Sequence, residues 1–160
     1  MAKGTSEARA RVALKAAGLF VYKPPDDARN WKPCDFLTWA PPVRTPVVDS
    51  DTGYGLRWEG DAISRWVEVK QVGSSALTMP ASDLRPSQLS GVAEAMRLGI
   101  QYWLLIYWKH PKIPGKARWT CLELTQLQRG MDSWVRSLPY FDQEWAAMGS
   151  VNECVDVMVR

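Results

Sequence analysis

Apolar and polar positions follow two different periods along this chain, and each change of period marks a new element. Over residues 6–17 the apolar positions recur at helical spacing, and Gly18 follows as a helix stop. A second helix is predicted from Pro86 to about Leu98. Short apolar runs bounded by turn residues predict strands at 19–22, 34–39, 63–72, 101–108 and 119–122.

The rest of the chain predicts further helices and one long connection. Thr125 is expected to cap a helix over about 126–137, and a short helix is expected over 141–148. Residues 40–60 are rich in Pro, Gly and Asp, which predicts a long loop or insertion with room for a hairpin. The resulting order α-β-β-β-α-β predicts an α/β fold, with a mixed central sheet flanked by helices, as a single domain over residues 1–160.

Two charged residues stand inside the third predicted strand, Trp66-Val67-Glu68-Val69-Lys70. Side chains at i and i+2 of a strand point to the same face, so Glu68 and Lys70 share one side of the sheet. An unpaired buried charge is costly, and such a pair therefore serves a metal, a substrate or each other. An ordinary ion pair or a solvated edge strand would give the same pattern.

An acidic residue also opens the preceding apolar run, in Pro33-Cys34-Asp35. The chain thus carries P-x-D followed by E-x-K, which resembles the PD-(D/E)xK nuclease superfamily. Over about residues 4–108, with Gln88 in the helix after the E-x-K strand, it is most similar to RecU-like and archaeal-type Holliday junction resolvases. The resemblance implies a restriction-endonuclease-like fold, in which a hairpin brings the Asp and the Glu together around a divalent cation.

Metal-dependent hydrolysis of DNA phosphodiester bonds is the activity that this resemblance implies. Asp35 and Glu68 would then hold Mg²⁺, with Mn²⁺ as a substitute, and the Val69 carbonyl would add a ligand. Glu7 lies in the first helix, where the superfamily often carries a further metal-binding Glu. Two or three carboxylates suffice for Mg²⁺, because this cation keeps several of its waters.

Two further residues have expected roles beside the metal. Lys70 would orient or help to deprotonate the attacking water and stabilise the charge that develops on the phosphate. Gln88 would position the water or the scissile phosphate, or else make a hydrogen bond at the start of its helix. Most other acids of the N-terminal half lie in Pro/Gly-rich turns, where Asp serves local backbone hydrogen bonds, and Asp61 is the reserve ligand.

Basic residues outside these motifs are the candidates for DNA contact. The net charge of +3 is modest, so the distribution of the charges matters more than their sum. Each such residue either contacts phosphate or forms part of the solvated surface. The candidates are Arg9, Arg11, Lys15, Arg85, Lys109, Lys112, Lys116 and Arg118.

The resemblance also indicates the partners. Branched DNA, most of all a four-way junction, would be the substrate, and a homodimer would present two active sites to two strands related by two-fold symmetry. Two alternatives stay open, namely another PD-(D/E)xK repair or end-processing nuclease, and a non-catalytic DNA-binding module with a degenerate nuclease fold. The first alternative keeps the whole motif set, whereas the second does not need Asp35, Glu68 and Lys70 to converge.

Composition adds expectations about the setting of the protein. The chain is 46% hydrophobic and 23% charged, as in ordinary soluble proteins. No apolar run approaches the ~20 residues that cross a bilayer, and the polar N-terminus lacks the apolar core of a signal peptide, so a cytoplasmic protein without membrane partners is expected. The three cysteines form no C-x-x-C pair, which predicts reduced thiols.

Overall fold

A mixed six-stranded sheet forms the centre of the chain in a computed structural model. The structure describes residues 5–26, 32–40, 43–49, 53–59, 64–129, 137–139 and 147–160. The strands, in chain order, are β1 (Phe20–Tyr22), β2 (Phe36–Trp39), β3 (Val43–Asp49), β4 (Gly53–Glu59), β5 (Ser64–Val72), β6 (Thr78–Pro80), β7 (Gln101–Trp108), β8 (Trp119–Glu123), β9 (Ser137–Pro139) and β10 (Ala147–Gly149).

Helices cover both faces of this sheet. They are α1 (Ser6–Ala16), α2 (Pro86–Leu98), α3 (Leu124–Arg129) and α4 (Val151–Val159), and short 3₁₀ turns lie at Ala81–Asp83 and Gly115–Ala117. One face packs against α1 and α4, and the other against α2 and α3. The predicted α/β class, with a mixed central sheet flanked by helices, is confirmed. Within the described residues, no helix is both long and apolar enough to cross a membrane.

The strand order explains why the two central strands carry apolar side chains on both faces. The order is β1-β2-β5-β7-β8-β10, in which β5 and β7 are parallel and every other neighbouring pair is antiparallel. Parallel neighbours need a crossover connection, and α2 lies within the connection between β5 and β7. Because helices cover both of their faces, these two central strands bury apolar side chains on each side.

The ends of the first two helices follow from their local sequence. Thr5 caps α1, since its Oγ1 accepts a hydrogen bond from the Ala8 N–H at 3.2 Å. Pro86 begins α2, where its missing N–H is not needed, and Gly99 ends this helix at a left-handed φ of 69°. The predicted bounds of both helices therefore agree with the structure to within a residue.

The structure tests two further predicted segments of the chain. Over 40–60 the expected long loop contains the hairpin for which it had room, since β3 and β4 pair over their whole length. Of the helix expected over 126–137, residues 130–136 lie outside the described residues; α3 begins at Leu124, before Thr125, and extends to Arg129, and Ser137 starts β9. Thr125 is thus not a cap: its hydroxyl accepts a hydrogen bond from the Tyr102 N–H at 3.3 Å and donates one to Glu123 at 3.0 Å.

The secondary structure predicted for the C-terminal segment also differs from the structure. Of the helix expected over 141–148, residues 141–146 lie outside the described residues, and residues 147–149 form the edge strand β10. Helix α4 follows and was not predicted, although its sequence carries a capping box. The Ser150 Oγ accepts a hydrogen bond from the Glu153 N–H at 3.2 Å, and Glu153 accepts one from the Ser150 N–H at 2.6 Å.

Helix α2 approaches the chain segment before β2 at one glycine. A Cβ atom on Gly91 would lie 2.7 Å from the Pro33 carbonyl oxygen and 2.9 Å from its Cβ. On the other side, the Tyr102 hydroxyl donates a hydrogen bond of 2.5 Å to the same Pro33 carbonyl. The backbone two residues before Asp35 is therefore held between α2 and β7.

This contact predicts the effect of Gly91→Ala. Within an exposed helix the change would stabilise by about 1 kcal/mol, but here the methyl group must displace backbone, so we expect destabilisation of ~1–3 kcal/mol. Denaturant unfolding measures the difference. Ser90→Ala, at the exposed neighbouring position, is the control and should be neutral or slightly stabilising. A stabilised Gly91→Ala protein would contradict the close contact.

Candidate active site

The pairing of β2 with β5 brings the two acids of the motifs to one place. The ladder runs as far as Phe36 opposite Val67, and one further step places Asp35 opposite Glu68. Directly opposed residues project to the same face, and this is the face on which α2 packs. Both side chains are buried, with 4% of Asp35 and 2% of Glu68 exposed.

Asp35 also fixes the backbone of the E-x-K strand. Beyond Phe36 the ladder stops, and the Asp35 Oδ2 accepts a hydrogen bond from the Val69 N–H at 2.9 Å. The N–H and C=O of one residue in a strand point to the same side. The Val69 carbonyl therefore also points toward the side of Asp35, as its predicted role as a metal ligand requires.

Lys70, Glu68 and Gln88 form a buried polar cluster on this face. The Lys70 Nζ lies 3.1 Å from the Glu68 Oε1 and donates a hydrogen bond of 3.0 Å to the Gln88 Oε1. The Gln88 Nε2 donates in turn to the Glu68 Oε1. The structure thus brings together Asp35 of the P-x-D motif, Glu68 and Lys70 of the E-x-K motif, and Gln88 of α2.

Gln88 takes the second of the two roles that the sequence left open, a hydrogen bond at the start of its helix. Its Oε1 accepts a hydrogen bond from the Arg85 N–H at 2.8 Å, which satisfies the first turn of α2. The same oxygen accepts a hydrogen bond from the Lys70 ammonium group, and the Gln88 amide nitrogen donates one to Glu68. With 1% of its surface exposed, Gln88 is a positioning residue for both charged groups rather than an open contact for substrate.

Burial and repulsion change the ionisation of Glu68. Burial away from water, and to a smaller extent the nearby charge of Asp35, raises the pKa of the Glu68 carboxyl to about 7. The positive charges of Lys70 and Arg85 act in the opposite direction but do not cancel the shift. A carboxylate that is costly to ionise in its own fold gains from a cation beside it.

The donor atoms around Glu68 fit a divalent metal ion. Within the described residues the buried Glu68 Oε2 has no hydrogen-bond partner, which leaves an oxygen ligand unused. Mg²⁺ prefers oxygen ligands and is held in proteins by one or two carboxylates with several waters. Asp35, Glu68 and the Val69 carbonyl meet this requirement. No three His, Cys, Asp or Glu side chains are arranged to hold an ion in the part of the chain that the structure describes.

Glu7 does not join the two buried carboxylates in this structure. Its Oε2 lies 2.8 Å from the Lys23 Nζ, and Lys23 lies 3.5 Å from Asp26. Asp26 also pairs with Lys32, whose Nζ lies 3.3 Å from the Asp35 Oδ1. Two lysines and one aspartate therefore connect Glu7 to Asp35, and the role of Glu7 as a metal ligand stays a prediction.

Sequence reasoning missed some residues that shape the site. Lys32 lies only three residues before Asp35 and has 15% of its side chain exposed. Burial lowers the pKa of Lys32, but its pairing with Asp26 and Asp35 outweighs this, and the pKa is raised. The position of Lys32 three residues before Asp35 is a sequence signal that could have identified it. Tyr102 and Gly91, in contrast, hold the Pro33 segment through tertiary contacts that no local sequence pattern shows.

The structure separates the predicted DNA-binding residues into groups. Arg9, Lys109 and Arg118 line one cleft. Arg11 and Lys15 line another, together with Glu7 and Lys23. The remaining three, Arg85, Lys112 and Lys116, are exposed at the start of α2 and on the loop between β7 and β8.

Comparison with known proteins gives likeness in structure alone. No protein-family model matches the chain, and no curated protein matches it. Among solved structures, the chain is similar to Hjc, a Holliday junction resolvase from the archaeal hyperthermophile Archaeoglobus fulgidus, at 12% sequence identity. The match covers 89% of this chain and 84% of that chain, with a TM-score of 0.43.

The raised pKa of Glu68 predicts a pH-dependent stability of the metal-free protein. The ordinary value is 4.5, so the favourable contribution of protonated Glu68 is full below that pH and is lost as pH rises through about 7. Glu68→Gln cannot ionise. Its free energy of unfolding in EDTA should therefore exceed that of the wild type increasingly with pH, by up to about 3 kcal/mol at alkaline pH.

A surface glutamate provides the control for this measurement. The pKa of Glu94 is lowered by its hydrogen bond with Arg97, so the wild type gains a little stability as Glu94 ionises. The free energy of unfolding of Glu94→Gln should therefore fall slightly below that of the wild type as pH rises through the acidic range. A difference between wild type and Glu68→Gln that stays constant with pH would contradict the raised pKa of Glu68.

Proposed function

We propose that this chain is a metal-dependent endonuclease that hydrolyses phosphodiester bonds in DNA, and that branched DNA is its substrate. The observation that supports this most is the convergence of Asp35, Glu68 and Lys70 on one buried face, with an unpaired Glu68 Oε2. A DNA-binding module without catalysis has no use for this buried charge. Structure-specific cleavage of four-way junctions by a homodimer is the specific form that we propose.

The protein groups at this site divide the work of hydrolysis. Asp35, Glu68 and the Val69 carbonyl would hold Mg²⁺, and Mn²⁺ would substitute for it because both prefer oxygen ligands. When bound, the cation supplies an activated water and neutralises charge on the phosphate. Asp35 also orients the strand that carries the other groups, since its Oδ2 binds the Val69 N–H.

Within the part of the chain that the structure describes, Lys70 has partners for two of its donors, which leaves one for the reaction. An ammonium group has three N–H donors, and in this structure one faces Gln88 and another faces Glu68. The third, on a side chain with 18% exposure, is available to the attacking water or to a phosphate oxygen. Because Gln88 and Glu68 fix its position beforehand, Lys70 can stabilise the transition state with little reorganisation.

Substitutions at this site test the proposed activity. Asp35→Asn and Lys70→Ala should each lower the cleavage rate at saturating DNA by about 10³-fold or more, because their contacts act mainly on the transition state. DNA affinity in EDTA should change less than about threefold. Exposed Lys112→Ala removes the same charge as Lys70→Ala far from the site and is the control. Cleavage by Lys70→Ala at the wild-type rate would rule out its catalytic role.

A panel of DNA substrates tests the specificity. We expect purified protein with Mg²⁺ to cut a four-way junction at least about tenfold faster than a flap, linear duplex or single strand, since a two-fold dimer matches the symmetry of the junction. Preference for a flap or for ends would favour a repair or end-processing nuclease. Binding without cleavage of any substrate would favour the non-catalytic DNA-binding module.

A further inference from the structure

A basic cleft lies on the α1 face of the sheet, opposite the face that carries Glu68 and Lys70. It opens between the start of α1, the end of β5 and the connection from β7 to β8, and has a volume of about 730 Å³. Three cationic side chains line it, from Arg9, Lys109 and Arg118, and none of the described residues that line it is acidic. The cleft therefore favours an anion.

The two arginines of this cleft are organised by a phenol instead of a carboxylate. The Arg9 guanidinium lies 5.5 Å from the centre of the Tyr107 ring. A hydrogen bond with Arg118, and a further one with Arg9, lowers the pKa of Tyr107. Among the described residues the buried Arg118 Nε has no hydrogen-bond partner. The positive charge of the cleft is thus held in place but not neutralised.

The first turn of α1 adds to this positive environment. Thr5 and Ser6 line the cleft, and the N–H groups at a helix start have no partner within the helix. The helix dipole places partial positive charge at the same end. Backbone, hydroxyl and guanidinium donors therefore face one concave space, which is the donor set that a phosphate group requires.

The position of the cleft relates it to the proposed chemistry. Gln71, which lines the cleft, follows Lys70 directly, and Ser6 directly precedes Glu7. Successive side chains of a strand point to opposite faces, so Lys70 lies on the α2 face of the sheet, and Gln71, with the cleft, lies on the α1 face. A DNA backbone that crosses this end of β5 would therefore contact Lys70 with one phosphate and the cleft with another.

We propose that the cleft formed by Arg9, Lys109 and Arg118 binds a backbone phosphate of DNA other than the phosphate that is cleaved. This inference rests on the proposed nuclease function and narrows its DNA-binding surface. It separates the basic residues of one loop, because Lys109 and Arg118 line the cleft whereas Lys112 and Lys116 are exposed outside it. Two pairs with the same charge and neighbouring positions should therefore differ in their effect on DNA.

Two double variants of the full chain test this difference. Lys109→Gln with Arg118→Gln empties the cleft of two charges, and Lys112→Gln with Lys116→Gln removes two charges outside it. Binding of a fluorescent four-way junction in EDTA is titrated by anisotropy at several KCl concentrations. The cleft pair should weaken binding at least about tenfold and reduce the salt slope by about two units, while the outer pair changes the slope by less than half as much.

Further measurements keep the outcome clear. Circular dichroism and thermal unfolding check that each variant is folded, and Lys109→Gln with Arg9→Gln replaces the first pair if loss of Arg118 unfolds the chain. Equal slopes for the cleft and outer pairs would overturn the proposal. So would inorganic phosphate at millimolar concentration that competes as well as a short oligonucleotide, since the cleft would then be a free-phosphate site.

Failure of this proposal can be separated from failure of the nuclease function. Binding in EDTA requires neither metal nor cleavage, so a cleft that binds DNA in a protein without cleavage activity would leave the cleft proposal standing. Conversely, cleavage by the wild type together with equal effects of the two variant pairs would leave the nuclease and remove the cleft. Absence of any DNA binding by the wild type would overturn both.

Discussion

Two carboxylates, Asp35 and Glu68, lie buried on the same face of the central sheet, where water cannot screen their repulsion. Burying one such charge beside another is unfavourable unless opposite charges and hydrogen bonds compensate for it. Each acid has its own compensation, since Asp35 accepts the Val69 N–H and pairs with Lys32, while Glu68 pairs with Lys70. The compensation is incomplete at Glu68, whose pKa is raised to about 7. This remaining cost is what a divalent cation would relieve.

The arrangement depends on where β2 and β5 separate. As long as the ladder continues, backbone groups satisfy one another and leave nothing for side chains or ligands. After Phe36 the ladder stops, and the side chain of Asp35 takes over the Val69 N–H. Tyr102 and Gly91 hold Pro33 at this point, so the separation of the two strands is fixed by β7 and α2. The site is thus supported by rigid elements, which pre-organised chemistry requires.

Local patterns in the sequence predicted much of this arrangement. The period of β5 placed Glu68 and Lys70 on one face, and Pro86 and Gly99 marked the ends of the helix that carries Gln88. Residues whose roles depend on distant contacts were not predictable in this way. Thr125 resembled a helix cap but serves the backbone of β7. Strand β10 was missed because three residues carry too little periodicity, and their pairing with β8 decides their conformation.

The cations around the site differ in what they have to neutralise. Lys23 and Lys32 lie between acids of the chain itself, namely Glu7, Asp26 and Asp35. These acids largely neutralise the charge of the two lysines, which would therefore attract a DNA strand only weakly. Among the described residues, the arginines around Tyr107 have no acidic neighbour in their cleft, and their charge would be available to a ligand. In the proposed nuclease, an isolated acidic centre would repel phosphate, so such neighbouring contacts would have to hold the DNA strand before the carboxylates and a cation act on it.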